Sequence, residues 1–275
     1  EKPDWVLVYG DTNSTLAGAL AAVKLHIPVG HVEAGLRSFN RAMPEEINRV
    51  LTDHISTLLF CPTEAAVRNL AKEGLVQGVH RVGDVMYDVL LYNRQLARTK
   101  RGFLAQLGVL PEQYALATVH RANNTDNLER LEAILLAFGQ LEWPIVFPAH
   151  PRTKKAIQRA RLTIPQNVLL IEPVGYLEML QLEVGARCIL TDSGGIQKEA
   201  YLLRIPCITL REETEWVETV ETGWNILAGA DTAKIVEAAR SFVRPEEHPP
   251  LFGDGHAAEK IVSLLLAAEG VGGTG

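Results

Sequence analysis

With 275 residues, 47% of them hydrophobic and 22% charged, the chain is long enough to bury one or two cores, and its composition excludes a disordered or fibrous protein. A net charge of −6 argues against broad nucleic-acid binding, although a locally basic pocket can still take a phosphorylated ligand. Three isolated cysteines, Cys61, Cys188 and Cys207, without C-x-x-C spacing, exclude a disulfide framework and a structural zinc site and point to a reducing, cytoplasmic setting, and no apolar run reaches the length of a membrane span.

The chain opens at Glu1, directly ahead of an apolar run, so a preceding segment is expected. Residues 5–9 read as a buried strand, followed by the polar residues 10–15 and an Ala/Leu-rich helix over 16–25. Asp11 therefore falls at a strand's C-terminal end. A second strand over 27–32 delivers His31 and Glu33 to the same edge if the two strands are parallel. After a loop over 34–43, Pro44 opens a helix with Glu45 and Glu46 in its first turn, where complementing the helix dipole is the competing, purely structural reading of both acids. Residues 58–61, 63–73, 81–83 and 84–97 continue a strand–helix alternation, which implies a parallel sheet covered by helices. The basic stretch 98–102 and the turn near 108–111 read as a hinge.

A second alternating series begins at 114–119 and ends in His120-Arg121, with Asp126 and Glu129 placed to cap the next helix. Strand 145–148 leads to His150-Pro151-Arg152 and a basic helix, and strand 168–171 leads to a further helix through Tyr176. The most informative stretch follows. An apolar strand from Cys188 runs into Asp192-Ser193-Gly194-Gly195, and helical character continues over 196–203. Ser193 is a good N-cap, and the turn leaves backbone N–H groups and the positive helix end facing outward, a cradle for phosphate. Glu199, about one turn in, can reach the hydroxyls of an attached ribose. A plain tight turn is the competing reading.

After a strand over 207–210, the loop 211–216 carries Arg211 and Glu215. Helices over 231–242 and 257–269 are linked by a Pro/Gly-rich segment, and residues 270–275 are expected to fray. A single histidine after a strand is usually a hydrogen-bonded loop residue. Two of them with arginines and a glycine turn along one sheet edge favour a ligand site. The histidines lack metal-ligand spacing, so no metal and no cofactor are expected.

These residues resemble one family, the non-hydrolysing UDP-N-acetylglucosamine 2-epimerases and their relatives acting on UDP-2,3-diacetamido sugars. The matches are Gly10 to Thr12, the run H-V-E-A-G-L-R-S from His31 to Ser38, P-E-E-I-N-R from Pro44, His120-Arg121, P-x-H-P from Pro148, D-S-G-G-I-Q-x-E from Asp192, Thr214-Glu215 and Gly253 to Gly255. The resemblance covers almost the whole chain. It implies an α/β fold of two Rossmann-like domains facing a cleft, as in GT-B glycosyltransferases, with the first domain N-terminally truncated. The domains would be residues 1–97 with 256–270, a hinge over 98–111, and a UDP-binding domain over 112–255, the last helix crossing back to the first domain.

The resemblance also implies Asp11, Glu33, Glu45 and His120 as acid/base groups. Arg121, His150, Ser193, Gly194, Gly195, Glu199, Arg211 and Glu215 would hold a UDP-sugar, with Ser193 to Gly195 on the diphosphate and Glu199 on the ribose. The implied chemistry is loss of UDP from C1 with removal of the C2 proton, giving 2-acetamidoglucal, then re-addition with protonation from the opposite face, for surface polysaccharide precursors. A homodimer is the expected assembly, and neither nucleic acid nor membrane is an expected partner. Asn123 stands where the family has glutamate and Trp216 where it has arginine, the latter as in the diacetamido-uronate branch, so the exact sugar stays open. A GT-B glycosyltransferase and a non-catalytic nucleotide-sugar-binding module are the alternatives.

Overall fold

The computed structural model describes residues 3–99 and 102–269. They fall into two compact units, one of residues 3–91 and 250–269 and the other of the described residues between 92 and 249. Lys100 and Arg101 of the expected hinge, and the expected fraying at 270–275, lie outside the described residues.

In the first unit, strands β1 (Val6–Tyr9), β2 (Val29–Val32), β3 (Leu58–Cys61) and β4 (Val79–Arg81) form a parallel sheet in the order β1-β2-β3-β4. Every residue of β2 and β3 is buried, as expected for strands covered by helices on both faces. The covering helices include α1 (Asn13–Lys24), α2 (Pro44–Ile55), α3 (Glu64–Lys72) and α4 (Val85–Thr99), whose second half belongs to the other unit. Thr12 accepts a hydrogen bond from the Thr15 N–H at 3.2 Å, so α1 begins at Asn13, ahead of the expected 16. β4 lies two residues earlier than expected. Gly83, at φ +92°, ends it where the chain passes Phe252, and a Cβ there would meet the Phe252 carbonyl at 3.0 Å.

In the second unit, α5 (Phe103–Gln106), β5 (Ala115–Thr118), α6 (Ala122–Thr125), α7 (Leu128–Gly139), β6 (Ile145–Pro148), α8 (Pro151–Ala160), β7 (Val168–Ile171), α9 (Tyr176–Gly185), β8 (Cys188–Thr191), α10 (Gly194–Leu203), β9 (Cys207–Thr209), α11 (Val217–Glu221), β10 (Asn225–Leu227) and α12 (Thr232–Ser241) follow in order. The six strands are parallel, in the order β10-β9-β8-β5-β6-β7. One sheet face packs on α7 and α12 through Leu131, Ile134, Phe138 and Ile235, the other on α9 and α10 through Leu182 and Ala200. The short elements α5, α6, α11 and β10 were not expected: the three helical pieces, of four or five residues, span little more than one turn and cannot show a 3.6-residue period, and β10 is only three residues long. Asn127, not Asp126 or Glu129, caps α7, accepting from the Arg130 N–H at 3.2 Å. Asp126 instead pairs with Arg152 at 2.6 Å.

The last helix, α13 (Ala257–Glu269), sets Ile261, Leu264 and Leu265 against Val32, Leu58 and Phe60 of the first sheet. Among the described residues no helix is long and apolar enough to cross a membrane. No group of three or more His, Cys, Asp or Glu side chains there is arranged to hold a metal ion.

Candidate active site

In the first unit the adjacent parallel strands β1 and β2 end together, with Val8 opposite His31 and Tyr9 opposite Val32, so Asp11 and Glu33 emerge at one edge. Gly10 lies between them, and a Cβ on it would sit 3.4 Å from Glu33 Oε2. Glu33 holds φ +74°, a left-handed conformation that is uncommon for a side chain of its size and that clusters at functional positions. Asp11 is ion-paired to Arg49, which also reaches Glu46 at 2.9 Å. Glu46 is buried and accepts from the Ser38 and Phe39 N–H groups, each at 2.9 Å, which hold it below the usual carboxylate range against the opposing effect of burial. Of the two acids that open α2, Glu46 thus shapes the 34–43 loop, while Glu45 is exposed.

His31, expected at the strand edge, lies wholly buried inside β2. Its Nε2 is 2.8 Å from the Gly10 carbonyl, which can only accept, and its Nδ1 is 2.6 Å from Asp53 Oδ1. Asp53 in turn accepts from the Gly35 N–H at 3.1 Å and from Arg37 at 2.7 Å. One buried chain therefore ties the backbone before Asp11 to the backbone after Glu33.

In the second unit the chain winds outward from β5 in one direction and from β8 in the other. These neighbouring strands flank a topological switch point, where open α/β sheets bind ligands beyond the strands' carboxyl ends. β5 delivers His120 and Arg121 there, and β8 delivers Ser193, Gly194 and Gly195. Between them Asp192, fully buried, accepts from the His120 N–H at 3.0 Å, the Arg121 N–H at 2.9 Å and the Asn124 amide at 3.1 Å. Asp192 locks the two loops together. Ser193 caps α10, its hydroxyl accepting from the Ile196 N–H at 3.5 Å, and the first-turn N–H groups of Gly194 and Gly195 have no intrahelical acceptor, a geometry that suits an anion.

The His120 imidazole is held below its ordinary value of 6.5, chiefly by burial, with Arg121 and His150 adding to the effect and Asp192 opposing it. It is neutral near pH 7 and able to take a proton. The His150 ring centre lies 6.2 Å from that of His120, and His150 caps the basic helix α8. Arg211 and Glu215 pair at 3.1 Å, and Glu215 Oε1 would stand 2.0 Å from a Cβ on Gly194. Glu199 is nearly buried on α10 and accepts the Tyr176 hydroxyl at 2.9 Å.

The second unit gathers a glycine turn at a helix N-terminus, a buried acid one turn further along that helix and a neutral histidine around one switch point, an arrangement that suits a nucleoside diphosphate whose leaving charge must be stabilised. The sequence pattern of the UDP-N-acetylglucosamine 2-epimerases matches residues 1–266. The chain belongs to this family. A UDP-N-acetylglucosamine 2-epimerase homologue of Methanococcus maripaludis is 56% identical over 271 residues, covering 96% of this chain and 76% of that relative. The UDP-2,3-diacetamido-2,3-dideoxy-D-glucuronate 2-epimerase of Pseudomonas aeruginosa is 50% identical, covering 96% and 75%. The crystal structure of Methanocaldococcus jannaschii UDP-GlcNAc 2-epimerase, in complex with UDP-GlcNAc and UDP, superposes with a TM-score of 0.86 at 47% identity, covering 97% of this chain and 76% of that one. The α/β, GT-B-like class expected for a UDP-N-acetylglucosamine 2-epimerase is the class of the chain.

Several residues that shape the sites of this epimerase were not singled out from sequence. Asp192 stood in the quoted D-S-G-G motif, and an acid ending an apolar strand was a readable sign. Arg49 lay in the P-E-E-I-N-R motif as a charge on a helix interior. Asp53, Tyr176 and Glu183 belong to no motif, and Glu183 could have been noticed only as a lone acid four residues after Met179 on an apolar helix face.

Proposed function

We propose that the chain inverts C2 of UDP-N-acetylglucosamine, interconverting it with UDP-N-acetylmannosamine. The C2 hydrogen is not α to a carbonyl, so the proton leaves as the C1–O bond to UDP breaks. The bond electrons depart on the β-phosphate, and 2-acetamidoglucal remains. Re-addition of UDP at C1 with protonation of C2 from the other face completes the inversion. In this reading the Ser193 to Gly195 turn takes the diphosphate, Glu199 the ribose, and Arg121, His150, Arg211 and Glu215 the remaining polar groups of the UDP-sugar. Asp11, Glu33, Glu45 and His120 are the proton-transfer groups.

The observation that carries the reading is the pairing of the glycine turn with neutral His120 across the β5–β8 switch point, in a chain matched by this family over residues 1–266. The test is proton NMR of the enzyme in heavy water with UDP-N-acetylglucosamine and no acceptor. Deuterium should enter at C2 as the second sugar appears. UDP release that requires an added acceptor, without exchange, would instead mark a glycosyltransferase. Glu33→Gln and Asp11→Asn should each abolish exchange while UDP affinity stays within about threefold, and full exchange in either removes that residue from proton transfer.

A second reading has one residue in its favour. Trp216, buried where the family carries arginine, fits the diacetamido-glucuronate branch, so the same NMR experiment is run with UDP-2,3-diacetamido-2,3-dideoxy-glucuronate. Faster exchange on that sugar would reassign the substrate. The proposal extends to a cytoplasmic homodimer, supported by three buried free thiols and by the family resemblance, and sedimentation velocity tests the assembly.

A further inference from the structure

Helix α9 buries a single acid. Glu183 is 0% exposed, packed on the face that carries Leu180 and close to Leu182, and neither of its carboxyl oxygens has a hydrogen-bond donor among the described residues. The groups that face it are Glu199 and, beside it, Lys198 on α10, Tyr176 at the start of α9, and Tyr114 ahead of β5. The two tyrosine hydroxyls are committed elsewhere, and Lys198 acts on Glu199 rather than on Glu183. The Tyr114 hydroxyl goes to the Leu182 carbonyl at 2.6 Å, the Tyr176 hydroxyl goes to Glu199 at 2.9 Å, and Lys198 Nζ stands 4.4 Å from the centre of the Trp216 ring.

Two adjacent buried carboxylates cannot both stay ionised, because each accepts and neither donates. Burial, reinforced by Glu199, pushes Glu183 far above the ordinary carboxylate range. Burial raises Glu199 too, but Tyr176, Glu183 and Lys198 oppose that rise. The shared proton belongs on Glu183.

We propose that Glu183 is a positioning residue of the nucleotide subsite, donating its carboxylic O–H to Glu199 so that this bond and the Tyr176 hydroxyl together fix the Glu199 carboxylate to accept the two hydroxyls of a ribose. The inference rests on the reading of Glu199 as the ribose acceptor. Two donors from the protein side use part of the carboxylate's four acceptor sites and stop its rotation, leaving the others aimed outward.

The test is calorimetric binding of UDP and 2′-deoxy-UDP to the full chain, in wild type, Glu183→Gln and Glu183→Met. Glutamine keeps a donor and should bind UDP within about twofold of wild type, whereas methionine, of similar length but without a donor, should weaken UDP about tenfold and 2′-deoxy-UDP much less. A role in packing alone would weaken both nucleotides equally in Glu183→Met. Unchanged discrimination between the two nucleotides in that variant therefore overturns the proposal. An independent readout needs no methionine variant: wild type at neutral pH should show the infrared carbonyl band of a protonated carboxyl group, absent in Glu183→Gln, and no such band also overturns it. If wild type binds both nucleotides alike, and Glu199→Gln binds UDP as wild type does, the ribose reading of Glu199 itself falls and takes the role of Glu183 with it.

Discussion

Gly194 has no room for a side chain. A Cβ would stand 2.0 Å from Glu215 Oε1 and 3.1 Å from its carboxyl carbon, so Gly194→Ala must push Glu215 off Arg211. We expect a loss of about 1–3 kcal/mol in urea unfolding, together with weaker UDP binding in calorimetry. Unchanged values for both would mean that Glu215 moves aside freely. His120 makes a prediction of the opposite kind, on pH. Its folded-state value lies below 6.5, so the stability linked to it is present in full above pH 6.5 and is lost as pH falls through that lower value. Catalysis that uses neutral His120 should therefore persist below pH 6.5, and a kcat/KM profile whose acidic limb turns at or above that pH would exclude His120 as its source.

The helix termini show which local signals could be trusted. Ser193 before α10 and Pro44 at the start of α2 do in the fold what their residue types suggested, because capping and proline geometry involve only the next three or four residues. The start of α7 was misread because Asp126, Asn127 and Glu129 are all plausible there. Asn127 won, since Asp126 is drawn to Arg152 on another helix. Asn127→Ala should cost about 1 kcal/mol in chemical denaturation and leave nucleotide affinity unchanged. A cost below a few tenths would mean that water caps α7 equally well.

Across the chain, a ligand bound to the second unit must raise the stability of that unit. UDP at about one hundred times its Kd should stabilise it by about 2.7 kcal/mol, visible in scanning calorimetry as an upward shift of one transition. If only the transition of the first unit moved, the assignment of the nucleotide to the β5–β8 edge would fail.

The strand–helix alternation, the Gly194-Gly195 turn and the motifs around Glu33, His120 and Ser193 were legible in the residues alone, because hydrophobic period, turn chemistry and caps are short-range properties. What the linear chain could not reveal was who pairs with whom. Asp53 closes on His31 across 22 positions, Asp192 on the His120 backbone across 72, and Glu183 comes against Glu199 from a different helix. Hydrogen-bond partners and proton sharing depend on which strands lie side by side and on how much water is excluded between them, and neither exists until the sheets have closed.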